Sequence, residues 1–574
     1  MKGAAPSHDD QEERAALVPP PPPCPNDDGA LLSKHRGVVS MAVDQPEQGQ
    51  SSTTKLWRAK VLPTMGIGLV IGVLVILVAC LLVGTTSSGG WIHISSSSFL
   101  LGIGAASRGR NGRPPHHAPS SSGVPLVPIT LICANETTPS AFTCPRATPP
   151  PSPSPAAAAL PSSDQLRRPA PSSPTCPEHF RYIHSDLSPW RESGITREAV
   201  ESARDKATFR LVVVGGRAYV DKYRPAYQTR DVFTLWGILQ LLARYPGRVP
   251  DLDLMFFCGD IPVVRAAAYP DTSKAPPLFM YCTDDRALDI VFPDWTFWGW
   301  PEVNIRPWAP FLEEVERESR SLPWKDREPY AFWKGNPNVS GLRRDLMRCN
   351  GTDDGGKDWH VRVFRQDWGY ANRNGFKDSN LAKQCTYRYK IYVQGRGWSV
   401  SQKYILACGS PMLRIDTPFR DFSSRGLVAG RHYWPIDAAR KCPSIKFAVD
   451  WGNAHEAEAQ RMGEEGSSFV RDELSMDYVY DYMLHLLTQY ARLLRYKPTV
   501  PENATELCLD SMACSARGRA REFMIESMEK YVADYEPCTL PQPFTADEVK
   551  ELAQTDEDVR SKVKAMEEQE EKET

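Results

Sequence analysis

Acidic residues flank one apolar segment of the chain. Residues 252–264 read LDLMFFCGDIPVV, an apolar strand that stops at CGDIP, so Asp260 stands where the strand ends. In parallel sheets, ligands bind beyond the C-terminal ends of the strands. A carboxylate placed there can accept a proton from a bound ligand. Just before the strand, Asp251 and Asp253 form an Asp-x-Asp pair whose hard oxygen ligands suit Mg²⁺ or Mn²⁺. The segment therefore offers two kinds of chemistry.

The elements around Asp260 have the pattern of an α/β protein. FRLVVV and RAYVDKY predict two strands across a Gly215-Gly216 hairpin turn, and TRDVFTLWGILQLLARYP then predicts a helix. This alternation favours a mainly parallel sheet. A second alternating run begins at EPYAFWKG, and the amphipathic helix SMDYVYDYMLHLLTQYARLLRY follows it. The sequence predicts two similar lobes that face a cleft.

The segment 61–84 carries no charged residue and is long enough to cross a hydrocarbon core of about 30 Å. It begins too far from residue 1 for a cleaved signal peptide, so we expect an uncleaved signal anchor. Lys55, Arg58 and Lys60 precede it, and the next basic residue is Arg108, which predicts a cytosolic N-terminus. The expected topology is single-pass type II, with one helix in the bilayer and the large C-terminal part in the lumen.

Composition agrees with that compartment and excludes one class of partner. The net charge of −2 gives no reason to expect a nucleic-acid partner. Of 14 cysteines, 12 follow the apolar segment, an even number in an oxidising lumen. Pairings do not follow from this count. Asn-x-Ser/Thr glycosylation sites also occur only after the segment, at Asn135, Asn338, Asn350 and Asn503.

Five separated segments carry a family resemblance. They are CPEHFRYIHSDLSPW, FPDWTFWGWPEVNI, FWKGNPNVSGLRRDL, YKIYVQGRGWSVSQKYILACGS and SMDYVYDYMLHLL. In this order, across about 176–498, they resemble the Rumi-type protein O-glucosyltransferases, including the plant rumi homologs. The resemblance implies a GT-B-like α/β fold with two Rossmann-like lobes. It also implies inverting transfer of glucose or xylose from UDP-glucose or UDP-xylose to a hydroxyl, with no required metal or other cofactor.

The resemblance also implies roles for individual residues. Asp260 matches the base aspartate, which in the family ends an apolar strand and is separated from a following proline by one residue. The implied donor-binding residues are Lys334, Gly335, Asn336, Arg343, Gly397, Trp398, Ser399, Lys403 and Asp421. Independently of the resemblance, the flat rings of DWTFWGW can stack on a sugar face or form an aromatic core under the lobe interface; they are Trp295, Phe297, Trp298 and Trp300. Cys385 and Cys408 match a family disulfide. Ser401 stands where animal members carry an arginine, and Arg396 or Lys403 are candidates to replace its charge.

The expected function is an inverting O-glycosyltransferase of the Golgi or ER membrane, with a luminal catalytic domain and a protein or polysaccharide acceptor. Two alternatives stay open: a metal-dependent Golgi glycosyltransferase that uses Asp251 and Asp253, and a non-catalytic sugar-binding scaffold of the same fold. The predicted domains are a disordered cytosolic tail, 1–60; a transmembrane signal anchor, 61–84; a disordered luminal stem, 85–175; an N-terminal acceptor-side lobe, 176–327; a C-terminal UDP-sugar-binding lobe, 328–500; and a C-terminal extension, helical in part with a charged tail, 501–574.

Overall fold

The structure, a computed structural model, describes residues 126–133, 144, 174–350 and 357–573, all within the unit Gly109–Thr574. The predicted tail, the apolar segment 61–84, most of the stem and Asn135 lie outside these ranges. In the part of the chain that is described, no helix is long and apolar enough to span a membrane. The membrane anchor therefore stays a prediction.

Strands and helices alternate through most of the described chain. The strands are β1 (Phe209–Val214), β2 (Arg217–Lys222), β3 (Leu252–Phe256), β4 (Leu278–Met280), β5 (Cys282–Thr283), β6 (Ile290–Val291), β7 (Glu328–Gly335), β8 (Val361–Arg365), β9 (Tyr387–Tyr392), β10 (Met412–Ile415), β11 (Arg420–Asp421), β12 (Tyr433–Ile436) and β13 (Thr505–Leu507). The helices are α1 (Tyr182–Asp186), α2 (Arg197–Glu201), α3 (Arg230–Arg244), α4 (Trp308–Ser321), α5 (Gly341–Leu346), α6 (Trp368–Arg373), α7 (Gln402–Ala407), α8 (Lys441–Ala454), α9 (Glu456–Glu473), α10 (Met476–Leu493), α11 (Leu509–Ala513), α12 (Gly518–Glu526) and α13 (Ala546–Glu573).

The first sheet has the strand order β13-β2-β1-β3-β4-β6. Gly215 and Gly216 form the predicted hairpin turn, with φ of +57° and +75°, values that glycine adopts without strain. This turn makes β2 antiparallel to β1, and β3 also pairs with β1 antiparallel, whereas β3, β4 and β6 are parallel. The expectation of a mainly parallel sheet is wrong here, because the two-glycine turn reverses the chain.

The second sheet is parallel throughout, with the order β12-β10-β9-β7-β8. Its buried side chains form a hydrophobic core with those of α8 and α9. A larger core covers the first sheet and extends to the helices beside it. The antiparallel pair β5-β11 joins the two lobes. Mixed α/β architecture with parallel strands is thus shown, and the C-terminal ends of β3 and β7 both lead into one cleft.

Helix α10, which the sequence analysis assigned to the second lobe, packs on the first sheet. The hydroxyl of Tyr490 donates to the backbone oxygen of Asp253 at 2.9 Å, and the Tyr490 ring meets Phe279 edge to face. Tyr482 donates to the backbone oxygen of Val291 at 3.2 Å. The apolar stripe of this helix was visible in the sequence, but the sheet that it covers was not.

Part of the predicted disordered stem lies on the folded body. The backbone N–H of Ile129 donates to Lys530 at 2.8 Å, and that of Val532 donates to Val127 at 2.9 Å. Disulfides also join Cys133 to Cys514 and Cys144 to Cys508. The remaining disulfides of the described chain are Cys176–Cys538, Cys349–Cys442 and Cys385–Cys408. The stem therefore does not reach residue 175 as a free linker.

Candidate functional site

A cleft of about 930 Å³ lies between the two lobes. Its size is at the upper end of the range for small-molecule sites, roughly 300–1,000 Å³. Basic side chains outnumber acidic ones on its walls. The basic residues are Arg230, Lys334, Arg343, Arg365 and Arg396, and the acidic ones are Asp260, Glu302 and Asp367. Such a cleft favours an anionic ligand.

Asp260 lies in the loop after β3 and lines the cleft, with its side chain 33% exposed. Arg230, the first residue of α3, donates from Nη1 to Oδ1 of Asp260 at 2.9 Å. No described hydrogen bond reaches the other carboxylate oxygen, Oδ2, within the ranges that the structure covers. Asp260 therefore presents one engaged oxygen and one that is free to accept a proton.

The turn at Gly395–Gly397 connects Asp260 with the opposite wall. A Cβ atom on Gly397 would lie 1.9 Å from the backbone oxygen of Asp260, and one on Gly395 would lie 3.9 Å from Nη2 of Arg343. Gly397 itself does not line the cleft. The missing side chain of Gly397 lets the second lobe touch the backbone of Asp260.

Arg343 is half-buried on α5, whose N-cap is Ser340. Its guanidinium donates to the backbone oxygen of Gln394 at 2.9 Å and to Oγ of Ser399 at 3.1 Å. Every described hydrogen bond of this side chain ends on an uncharged oxygen. Burial lowers the pKa of Arg343, because the charged form loses hydration without gaining a carboxylate. An anion in the cleft would supply the missing counter-charge.

Most of the predicted donor-binding residues surround this guanidinium. Lys334 is the next-to-last residue of β7 and donates to the backbone oxygen of Asp378 at 2.7 Å. Ser399 shares a hydrogen bond of 2.9 Å with Ser401. Ser401 itself lines the cleft without a charge, and Arg396 and Arg365 are the exposed cations on the same wall. The expected residues that line the cleft are Asp260, Lys334, Gly335, Asn336, Arg343, Trp398 and Ser399.

Three expected donor residues lie elsewhere. Trp298 is fully buried against Gly237 and donates to the hydroxyl of Tyr480 at 3.0 Å, so it is a core residue. Lys403 is buried 3.6 Å from Asp294 across the lobe interface, and burial lowers its pKa. Asp421 is buried in β11, where Oδ2 accepts from the backbone N–H of Ser423 at 3.2 Å. None of the three lines the cleft, and their donor-binding roles stay predictions.

The Asp-x-Asp pair does not form a metal site. Both carboxylate oxygens of Asp253 accept from the guanidinium of Arg210 at 2.7 Å, and Tyr496 donates to Oδ2 as well. Asp251 accepts from the backbone N–H of Gly215 at 2.8 Å in the hairpin turn. Asp251 lies just before β3 and Asp253 lies within it, and each carboxylate has its own structural partner. The metal-dependent alternative thereby loses its proposed ligands.

The sequence reading missed two cationic residues of the site. Arg230 looked like an ordinary residue at a helix start, although it is the ion partner of Asp260. Arg365 ends the parallel strand β8, so the rule that ligands gather at such ends was a usable signal for it. Of the aromatic candidates in DWTFWGW, Trp295 and Trp300 line the cleft, whereas Trp298 does not.

The predicted glycosylation sites differ in position. Asn338 is exposed but lines the cleft, so a glycan on it would occupy the space that an anionic ligand needs. Asn503 is exposed away from the cleft, and Asn350 accepts from the backbone N–H of Val363 at 3.3 Å. Of these, we expect Asn503 to be the most readily modified.

Asp289 holds the loop that follows Asp260. Its two carboxylate oxygens accept from the backbone N–H groups of Val263 and Val264 at 3.2 and 2.9 Å. Burial raises the pKa of Asp289 to about 6. In the unfolded chain the pKa of an aspartate is about 3.9. Its neutral form thus stabilises the fold below about pH 4, and this contribution is lost as the pH rises through 6.

We expect Asp289→Asn to reveal this titration in stability measurements. Between pH 4 and 7 the free energy of unfolding of the wild type should fall by about 2 kcal/mol relative to the variant, since Asn does not titrate. The loss of one hydrogen-bond acceptor adds only an offset that does not depend on pH. Denaturant unfolding at several pH values measures the difference, and parallel stability curves would contradict the assignment.

The cleft between the two α/β lobes is basic. It has a carboxylate on one wall and, on the other, an arginine whose described hydrogen bonds all end on uncharged oxygens. Comparisons with known proteins identify the class as a glycosyltransferase. Residues 171–567 match the family model described as "Glycosyl transferase family 90". The match spans more than half of the chain. The protein belongs to this family and is of the Rumi type, which the sequence motifs indicated.

Curated relatives agree with the family. The O-glucosyltransferase rumi of Drosophila melanogaster is 24% identical over 337 residues, which cover 56% of this chain and 78% of the relative. Protein O-glucosyltransferase 1 of Homo sapiens is 26% identical over 343 residues, covering 57% and 83%. The name of each relative describes an O-glucosyltransferase.

Gly397 offers a direct test of the contact between the lobes. In Gly397→Ala the new Cβ would meet the backbone of Asp260, which cannot yield as the end of a flexible side chain can. We expect about a 10²-fold loss of transferase activity, the cost of a misplacement on the order of 1 Å. Gly341→Ala is the matched control, because the nearest other atom would lie 3.9 Å away. Equal activities of the two variants would contradict the role of this contact.

Proposed function

We propose that the protein is an inverting glycosyltransferase that moves glucose or xylose from a UDP-sugar to a hydroxyl of a protein or glycan acceptor. One observation carries the proposal: the Gly395–Gly397 turn lies against Asp260 on one side and Arg343 on the other. A base and a cation for a diphosphate are thus neighbours across one cleft. The two facing lobes correspond to a GT-B arrangement, with the acceptor on the first lobe and the donor on the second.

In the proposed reaction, Asp260 takes the proton of the acceptor hydroxyl as the oxygen attacks the anomeric carbon. The new C–O bond forms on one face while the bond to the diphosphate breaks on the other, so the configuration inverts. UDP leaves with the electron pair. Arg343 and Lys334 stabilise the charge that grows on the diphosphate, and Arg365 and Arg396 add to the field from the same wall.

We propose that these cations make a metal unnecessary. The test is a transfer assay with UDP-glucose, UDP-xylose and UDP-galactose against folded disulfide-rich peptides and cell-wall oligosaccharides, each with and without EDTA. The names of the curated relatives favour glucose and a protein acceptor. Transfer that persists in EDTA is the expected result. Transfer abolished by EDTA would favour a metal-dependent enzyme, and UDP binding without any transfer would favour a sugar-binding scaffold.

We propose a Golgi or ER membrane location with the catalytic part in the lumen. The apolar segment 61–84 and its basic flank support this topology. The five disulfides are typical of an oxidising compartment. Protease added to sealed vesicles should remove only about the first 60 residues, as the orientation rule requires. Digestion of the main body in intact vesicles would contradict it.

A further inference from the structure

Arg230 contacts the proposed base and has no role in the chemistry described so far. Its side chain is 7% exposed, and Nη1 lies 2.9 Å from Oδ1 of Asp260. The same nitrogen is 3.5 Å from the backbone oxygen of Cys258. Within the described ranges, each of Arg230 and Asp260 has the other as its only ion-pair partner. The pair is therefore specific to this place in the cleft.

Aromatic rings hold the guanidinium of Arg230 from several sides. Its central carbon lies 4.5 Å from the ring centroid of Trp295, 5.1 Å from that of Tyr227 and 5.8 Å from that of Trp300. The loop that carries Tyr227 is tied down in turn, because the Trp300 indole N–H donates to Gln228 at 2.8 Å. A planar guanidinium packed in this way has few alternative positions.

We infer that Arg230 is a positioning residue for Asp260. The inference rests on the proposed function, in which Asp260 takes the acceptor proton. A general base must lie within about 2.6–3.2 Å of the hydroxyl that it deprotonates. Arg230 binds Oδ1 and so directs Oδ2, the oxygen without a described partner, to the acceptor.

The proton balance of the step is simple. The acceptor O–H bond breaks, its proton goes to Oδ2 of Asp260, and its electron pair forms the bond to the anomeric carbon. Arg230 stays protonated before and after the step. It also offsets the carboxylate charge next to an anionic donor, because the opposite charges lie 2.9 Å apart.

A double-mutant comparison tests whether Arg230 acts through Asp260. The full chain is measured as wild type, Arg230→Gln, Asp260→Asn and the double variant, with the UDP-sugar that the wild type uses best. We expect Arg230→Gln to lower kcat about 10²-fold, the cost of a misplaced group, with donor KM and UDP affinity nearly unchanged. In the Asp260→Asn background the same change should cause no further loss.

Two more variants make the comparison decisive. Arg230→Lys keeps the charge without the planar fork, so we expect it to recover about 10-fold of the lost rate. If Arg230→Gln does not fold, Arg230→Lys replaces it in the double-mutant comparison. Arg204→Gln is the matched control, because Arg204 is exposed in the same lobe and stacks on Tyr223 at 4.7 Å outside the cleft. It should behave as the wild type.

The outcomes separate this role from the proposed function. Unchanged kcat in Arg230→Gln would overturn the role of Arg230 alone. An equal loss in both backgrounds, or weaker UDP binding, would show that Arg230 acts on the donor or on the fold and would overturn it too. A wild-type chain that binds no UDP and transfers no sugar would overturn the proposed function, and the positioning role with it.

Discussion

Asp260→Asn is expected to bind UDP as the wild type does but to transfer sugar about 10²–10⁴-fold more slowly, the usual loss for a general base. The amide is nearly isosteric and keeps one oxygen that can accept from Arg230, so the cleft should hold its shape. It cannot take a proton at neutral pH, and the acceptor hydroxyl is then a poor nucleophile. Calorimetric UDP titration and the initial rate on the best acceptor measure the two properties separately.

Asp271→Asn is the control for this variant. Asp271 lies in the same lobe, is exposed, and interacts with Ser273 and Lys274 outside the cleft. We expect its rate and UDP affinity to equal those of the wild type. If Asp260→Asn kept near-normal turnover while UDP affinity fell, Asp260 would be a donor-binding residue, and another group of the cleft would have to be the base.

Arg343→Ala is expected to weaken UDP binding and to slow transfer as well, with a combined loss in kcat/KM of about 10²–10³-fold. The diphosphate carries charge before the reaction and gains more as it leaves, so a cation aimed at it acts in both states. Burial lowers the pKa of Arg343, and its described partners are all uncharged, which indicates that an anion completes its surroundings. Donor KM, kcat and UDP affinity measure the effect.

The neighbouring Arg344 provides a matched control on the same short helix. It is exposed and forms none of the described ion pairs. Arg344→Ala should therefore leave donor KM, kcat and UDP affinity unchanged. Comparing unfolding midpoints will show whether Arg343→Ala disturbs the turn whose carbonyls it contacts. A folded Arg343→Ala chain with normal UDP affinity would place the diphosphate elsewhere in the cleft.

Much of this architecture could be predicted from local patterns. The glycine pair at 215–216 requires a tight turn, and the alternation of strands and helices indicates two α/β lobes. Asp260 was identified because an acid after an apolar strand is placed at an edge where ligands bind. The family motifs then pointed to Lys334, Arg343 and Ser399, which do line the cleft.

The sequence did not show that Trp298, Lys403 and Asp421 lie outside the cleft, because a residue type does not show which way its side chain points. Lys403 has the charge that a phosphate site needs, yet it lies buried beside Asp294, far away in sequence. Trp298 has a ring that suits a sugar, yet α3 covers it. Whether a side chain is buried, and which side chain it contacts, depends on helices and strands that come into contact only after folding.

By itself, then, the sequence determined the family, the two-lobed α/β fold and the place of Asp260, since each depends on residues that are neighbours along the chain. Only the tertiary structure decided which charged side chains form ion pairs with Asp260 and Asp253. Arg230 and Asp260 are 30 residues apart, and Arg210 and Asp253 are 43 apart. The first contact is the one that we propose to position a base for proton transfer, while the second engages a carboxylate that a metal would need. Both outcomes require packed helices and paired strands to bring distant charges within hydrogen-bonding distance.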